Sequence, residues 1–152
     1  KDTLKYDKEK LEYFGIKGPV IKTLEKKKTL KVGSRTVHIS DVSYERTGDV
    51  FACVIDTKLC PSAFKLAQGA KLLLCESTYL DMHKDLAISH NHMTAKQAAK
   101  LAKQASVQKL ILTHFSARYK DLELFRTEAQ SVFKNTDVAD DFRRFLFPKD
   151  NY

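Results

Sequence analysis

Cysteine is scarce in this chain, and apolar runs of export-signal or membrane length are missing. The 152 residues hold only three cysteines, an odd number. Cys53 and Cys75 lie inside apolar runs, where a thiol serves as a small hydrophobe. A reducing, cytoplasmic setting is therefore expected. The first residues contain no apolar stretch of signal or membrane length, so neither export nor a membrane is expected. Internal repeats and low-complexity linkers are absent too. The chain opens on Lys1-Asp-Thr-Leu-Lys-Tyr6 without a Met, which reads as a fragment of something larger. Its length suits one domain with a core, and is short for two.

Positive charge is present in excess. The formal net charge is +8, which favours an anionic partner such as nucleic acid over a neutral one. Residues 1–35 carry eleven Lys or Arg against five Asp or Glu, so the excess is concentrated in the first quarter. Within it, Asp7 to Phe14 reads as a short amphipathic helix stopped by Gly15. Gly18-Pro19 forms a stiff bend, with the proline pushing Gly18 towards an extended shape. Lys17 precedes it, and Lys22, Lys26, Lys27, Lys28 and Lys31 follow. They suit either an arm that contacts phosphates or an ordinary surface helix or hairpin decorated with lysine. A hairpin is expected around Gly33-Ser34, with His38 on a strand face or at the surface.

Three short apolar runs organise the rest of the chain: Val50–Asp56, Leu72–Glu76 and Leu110–His114. Each has the length of a strand buried on both faces, and the sequence between them is largely helical in pattern. An α/β fold with a covered sheet is the expectation. If the strands run parallel, Asp56, Glu76 and His114 share the carboxyl-terminal rim where ligand sites of open α/β sheets lie. Pro61 opens a helix through Gln68, with Ala63, Phe64, Leu66 and Ala67 towards the sheet and Gly69 closing it. Thr47-Gly48-Asp49 is a turn. Ser77 to His92 lacks periodicity, holds His83, His90 and His92, and reads as a functional polar loop. Thr94 to Gln97 has the form of a capping box at the head of an alanine-rich helix reaching Ala105. Phe115 to Tyr119 reads as a loop, Asp121 to Lys134 as an amphipathic helix, and Val138 to Phe147 as a last strand ending at Pro148.

A carboxylate and a neutral imidazole are ordinary zinc ligands, and a carboxylate can bridge two metals. Asp56 and His114 are thus two candidate ligands. Glu76 is equally able to cap a helix or pair with a lysine. His90-Asn-His92 has the His-x-His form of a chelate, although two nearby loop histidines need not be ligands.

Three stretches together carry a resemblance: Val54-Ile-Asp-Thr57, His92-Met-Thr-Ala-Lys-Gln-Ala-Ala99 and Leu112-Thr-His-Phe-Ser-Ala-Arg-Tyr119. Their order and spacing resemble the carboxyl-terminal half of ribonuclease Z, the tRNA 3′-processing endonuclease of the metallo-β-lactamase fold. Lys10 to Pro19 resembles the end of that family's flexible arm. The resemblance implies an αββα sandwich, a basic arm over 1–35 and half of the metallo-β-lactamase-like domain over 36–152. It implies two Zn2+ ions per complete site, with Asp56 bridging them and His114 binding one. It gives His92 the protonation of the leaving 3′ oxygen, a task suited to imidazole, and Glu76 a supporting role that orients a histidine. The arm, through Gly18, Pro19, Lys17, Lys22, Lys26, Lys27 and Lys28, would grip precursor tRNA by its phosphates.

The chain departs from the family in having Ile55-Asp-Thr-Lys58 where Gly-Asp-Thr-Arg is usual, and Met93 after His92 where Ser is common. The family's His-x-His-x-Asp-His motif is absent, and so is a further upstream histidine ligand. Half an active site is expected, inactive and weak in metal binding by itself, and completed by an amino-terminal half within a homodimeric protein. Two other readings remain open: another phosphodiesterase or hydrolase of the same fold, and a non-catalytic nucleic-acid-binding module.

Overall fold

The computed structural model describes residues 2–46 and 48–148. Lys1, Thr47 of the expected Thr47-Gly48-Asp49 turn, and residues 149–152 lie outside the described residues. The chain divides into two compact units at Gly48 and Asp49. A boundary at residue 35 would instead pass through a hairpin.

In the first unit β1 (Thr3–Tyr6) pairs antiparallel with β4 (Ser43–Arg46), and β2 (Thr29–Val32) pairs antiparallel with β3 (Arg35–His38) across Gly33-Ser34. The helices are α1 (Lys8–Tyr13), α2 (Pro19–Lys27) and the single turn α3 (Ile39–Val42). Asp7 starts α1 by accepting the Lys10 N–H at 3.2 Å, as an N-cap aspartate does. Gly15, at φ +66°, ends the helix while the Ile16 N–H returns to the Leu11 carbonyl at 2.9 Å. Gly18 takes φ 55° and ψ −129° rather than the ordinary extended shape expected before proline. That region is open to glycine, and it aims Pro19 into the first position of α2. Leu11, Ile16, Leu24, Val37 and Val42 make a small core of this unit's own.

The second unit is built on a parallel sheet in the order β5 (Phe51–Val54), β6 (Leu72–Glu76), β7 (Lys109–Thr113), β8 (Thr136–Val138). Helices α4 (Pro61–Ala67), α6 (Ala95–Gln104) and α7 (Glu123–Gln130) connect the strands. Ala52, Val54, Leu73, Cys75, Leu110 and Leu112 form one core with alanines of α4 and α6 and with Phe125 and Ala129 of α7. Alanine lets α6 approach the strands closely, because nothing longer than a methyl stands between the backbones.

Several expectations need correction. β5 is an edge strand and is not buried on both faces: Phe51 and Cys53 are exposed while Ala52 and Val54 are buried. Leu66 points outward, 57% exposed, because the α4 face that meets the sheet is spent on Ala63 and Ala67. The expected helix over 121–134 contracts to Glu123–Gln130, with Leu124 exposed. The last strand is three residues long. Beyond Val138 the Arg143 N–H turns back to the Asp140 carbonyl, and the Arg143 guanidinium reaches the Val138 carbonyl and Asp137. That turn leaves Phe142 fully exposed and breaks the pairing an extended Val138–Phe147 would need.

The expected loop over 77–92 is also more ordered than its sequence pattern. It contains a 3-10 turn (Asp81–His83) and helix α5 (Lys84–His90), ended by Asn91 at φ 59°. Its two ends are tied by Tyr79 N–H to the Met93 carbonyl at 3.2 Å and Ala95 N–H to the Tyr79 carbonyl at 2.9 Å. This closure returns His92 to the end of β6.

Candidate metal centre

The parallel sheet places the ends of β5, β6 and β7 side by side, so each functional side chain is set by where its strand stops. Asp56 lies two residues past β5, Glu76 is the last residue of β6, and His114 directly follows β7. Asp56 and His114 both turn out of the sheet with left-handed backbones, at φ 56° and 58°. Such values are uncommon for residues other than glycine and recur at functional sites.

Glu76 is the hub. It is fully buried, and a buried carboxylate persists where donors replace its water. Oε1 accepts the Thr57 N–H. Oε2 accepts the Met93 N–H at 2.9 Å and the Thr78 hydroxyl at 2.9 Å. His92 Nδ1 lies 3.2 Å from Oε2 and 3.4 Å from Oε1. One carboxylate thereby ties together the turn after β5, its own strand and the residue next to His92. Because a carboxylate only accepts, the hydrogen of that imidazole sits on Nδ1, leaving Nε2 with the lone pair.

His92 and His114 lie side by side with their rings tilted 39° to one another and their centroids 5.3 Å apart. Thr78 Oγ1 is 2.9 Å from His114 Nδ1. Asp56 comes within 3.7 Å of His92 Nδ1 with its side chain 73% exposed. All four expected site residues therefore converge on one rim. Glu76, His92 and His114 each present a ligand atom within 4.8 Å of the others, so a metal ion could be held here. The oxygens of Glu76, however, are engaged by backbone and hydroxyl donors. Chemically the set fits part of a metal site: His114 and the exposed Asp56 as ligands, with Glu76 better placed to orient than to coordinate. A catalytic zinc ordinarily takes three protein ligands, so the donor set falls short.

The other histidines go elsewhere. His83 Nδ1 is 2.6 Å from the Tyr119 hydroxyl, and the His90 ring stacks on Tyr79 at 6.3 Å. The His90-Asn-His92 pair is therefore not a chelate, because α5 ends between the two rings and only His92 is turned to Glu76.

Two further side chains stand near the site: Thr78, which no motif marks in the sequence, and Arg118, which lies inside the Leu112–Tyr119 stretch but is given no role by the resemblance. Residues two apart in an extended chain point the same way, which could have linked Thr78 to Glu76. The Arg118 guanidinium lies over the Tyr79 ring at 5.3 Å, and that ring is 6.1 Å from His92. A fixed positive charge is thus held in the neighbourhood of the cluster.

The expected tRNA-contacting residues belong to the first unit. Lys22, Lys26 and Lys27 project from α2, Lys28 caps it in a left-handed conformation, and all four are exposed together with Lys17.

No family model matches the chain. Curated relatives do. It is 52% identical over 150 residues to a ribonuclease Z of Protochlamydia amoebophila, covering 99% of this chain and 49% of that protein. It is 52% identical over 148 residues to a ribonuclease Z of Chlamydia pneumoniae, covering 97% and 48%. The chain thus spans about half the length of the curated relatives it matches. Among solved structures, a metallo-β-lactamase fold protein of Bacillus subtilis aligns over 73% of this chain and 39% of its own, with TM-score 0.54 and 23% identity. A long-form RNase Z from yeast aligns over 65% and 13%, with TM-score 0.52 and 23% identity. The fold is that of the metallo-β-lactamases, and along nearly its whole length the chain is similar in sequence to ribonuclease Z proteins, about half of whose length it spans.

Proposed function

We propose that the chain supplies one part of a zinc-dependent endonuclease that removes the 3′ trailer from precursor tRNA, and that alone it is inactive. The observation that carries this reading is the meeting of Glu76, His92 and His114, with Asp56 beside His92, at the carboxyl ends of three parallel strands. Asp56 and His114 would hold the metal. Zinc would supply Lewis acidity there, polarising the phosphate and acidifying a water.

The chain's own residues have separable tasks. Glu76 holds His92 through Nδ1, so that Nε2, once it has taken up a proton from solvent, would deliver it to the leaving 3′ oxygen as water adds to phosphorus, losing its own proton to a base of the amino-terminal half, and the P–O3′ bond breaks. Arg118, fixed on Tyr79, would neutralise a neighbouring phosphate. The basic unit, with Lys17, Gly18, Pro19, Lys22, Lys26, Lys27 and Lys28, would grip the tRNA backbone, where charge rather than base identity is read. The remaining ligands would come from an amino-terminal half carrying His-x-His-x-Asp-His. The complete protein would be a cytoplasmic homodimer.

The test is cleavage of a 3′-extended precursor tRNA in zinc, by this chain alone and then with the amino-terminal half added. Cleavage in the mixture alone is expected. If the halves associate and bind zinc yet leave the tRNA intact, the substrate is wrong.

A further inference from the structure

We infer that Thr78 is a positioning residue that selects the tautomer of His114, through a hydrogen-bond relay running from His114 Nδ1–H to the Thr78 hydroxyl and on to Glu76. The Thr78 side chain sits between the two partners, 2.9 Å from Glu76 Oε2 and 2.9 Å from His114 Nδ1, in a residue only 7% exposed. A hydroxyl has one hydrogen to give and lone pairs to accept with. The Glu76 carboxylate already accepts a backbone N–H at each oxygen and has none to return. The Thr78 hydrogen therefore points to Glu76. What remains for His114 is a lone pair, and a lone pair calls for an N–H on Nδ1.

The opposite order fails on electrostatics. If Thr78 donated to His114, its oxygen and Glu76 Oε2 would face each other at 2.9 Å with no hydrogen between them, in a place water does not reach. A neutral imidazole with its hydrogen on Nδ1 keeps its lone pair on Nε2, the atom turned away from Thr78. One buried carboxylate thus sets both imidazoles of the cluster, His92 directly and His114 through one hydroxyl. The two rings are prepared as Nε2 bases before any ion arrives.

Calling Nε2 of His114 a metal donor rests on the function proposed above, whereas the tautomer rests on the hydrogen-bond geometry alone. The experiment separates the two. Two-bond 1H–15N correlation spectra of the imidazoles are recorded on the metal-free 152-residue chain, above the pH at which imidazole titrates, for wild type, Thr78→Ser and Thr78→Val. Wild type and Thr78→Ser should show His114 with its hydrogen on Nδ1. Thr78→Val should shift His114 towards the Nε2–H form preferred by a free side chain, while His92 stays as it was. An Nε2–H His114 in wild type overturns the inference even if Thr78→Val does not fold, and so does an unchanged His114 in a folded Thr78→Val chain. In the protein completed by its other half, Thr78→Val should weaken zinc binding by about 10- to 100-fold, the usual effect of losing a partner behind a metal ligand. Normal affinity there with a switched tautomer would place the ligand role of His114 in error and leave the relay standing.

Discussion

Glu76→Gln is the perturbation for which the structure makes the sharpest demand. The substitution keeps the shape of the side chain and replaces one accepting oxygen by an NH2 group that only donates. Either orientation of the amide leaves a fault. With its oxygen kept at Oε2, the Met93 N–H and the Thr78 hydroxyl remain satisfied, and the NH2 faces the Thr57 N–H. With the amide reversed, the NH2 faces the Met93 N–H instead. Removing the charge also removes a desolvation cost of several kcal/mol, along with the stronger charge-assisted bonds that offset it. Those two changes oppose each other. The orphaned backbone N–H, worth about 1–3 kcal/mol when buried, has nothing to oppose it.

A loss of about 2 kcal/mol is therefore expected, or roughly 8–16 °C in the melting temperature of a unit of this size. Calorimetry of the 152-residue chain would measure it. Glu76→Ala should fall further, since it strands the Thr57, Thr78 and Met93 donors together and opens a cavity. A Glu76→Gln chain as stable as wild type would refute the assignment of Glu76 as the tie between strand ends.

Other expectations concern individual side chains. Burial pushes the Asp137 carboxyl up, but the Lys109 ammonium at 2.9 Å, then Arg143 and Arg126, outweigh it and hold it below its ordinary value. Its stabilisation is thus present above the unfolded carboxyl's pKa of about 4 and lost as pH falls through the lower folded value. Asp137→Asn should be less stable by under about 1 kcal/mol at neutral pH and match wild type in strong acid, measured by urea unfolding at several pH values. Burial, then the charge of Glu76 and the neighbouring Cys53, pushes the Cys75 thiol up, whereas Cys53 is exposed. A thiol reagent should label Cys53 in the folded chain and reach Cys75 only on unfolding; equal rates would mean that the sheet is open. Lys26→Glu with Lys27→Glu on α2 should weaken tRNA binding and flatten its salt dependence, by about 0.7–0.9 in log–log slope for each phosphate no longer neutralised. Unchanged anisotropy titrations across salt would remove these lysines from the interface.

The sequence was most legible where one physical signal dominated. β6 coincides with the run Leu72–Glu76, and the Thr94–Gln97 capping box closes as its residue types require, with Gln97 N–H to Thr94 Oγ1 at 3.2 Å and Thr94 N–H to the Gln97 side chain at 2.9 Å. The rim residues obey the same logic: a buried strand that ends on a polar group must deliver it to the sheet's edge. Periodicity had less to offer in 77–92, where α5 is seven residues long and buries only Ala87. Two helical turns are too few to establish a period. Ser77 and Thr78 are buried although polar, because hydrogen bonds rather than apolar area hold them there. Val138 to Phe147 failed for the opposite reason. Its apolar residues suggested a strand, while its paired aspartates and arginines turned the chain back at Asp140.

The role of Glu76 was legible only as one possibility among several, and the reason lies in how buried charge is satisfied. Its donors come from Thr57, Thr78 and Met93, three segments that meet only once the parallel register of β5, β6 and β7 is set. A carboxylate at a strand end is compatible with a cap, a lysine partner or a ligand until those donors arrive. Their arrival also decides what Glu76 is not. An anion whose lone pairs are taken by fixed N–H and O–H groups has little left for a metal, and what it can still do is set the direction of the groups that hold it. The centre is for this reason better regarded as two layers. Asp56, His92 and His114 offer atoms outward, and Glu76 with Thr78 behind them determines which atoms those are. Changes in the inner layer should appear first in stability and imidazole tautomers, and changes in the outer layer in metal and RNA. A variant such as Asp56→Asn, exposed and bonded to little else, should accordingly leave the fold intact.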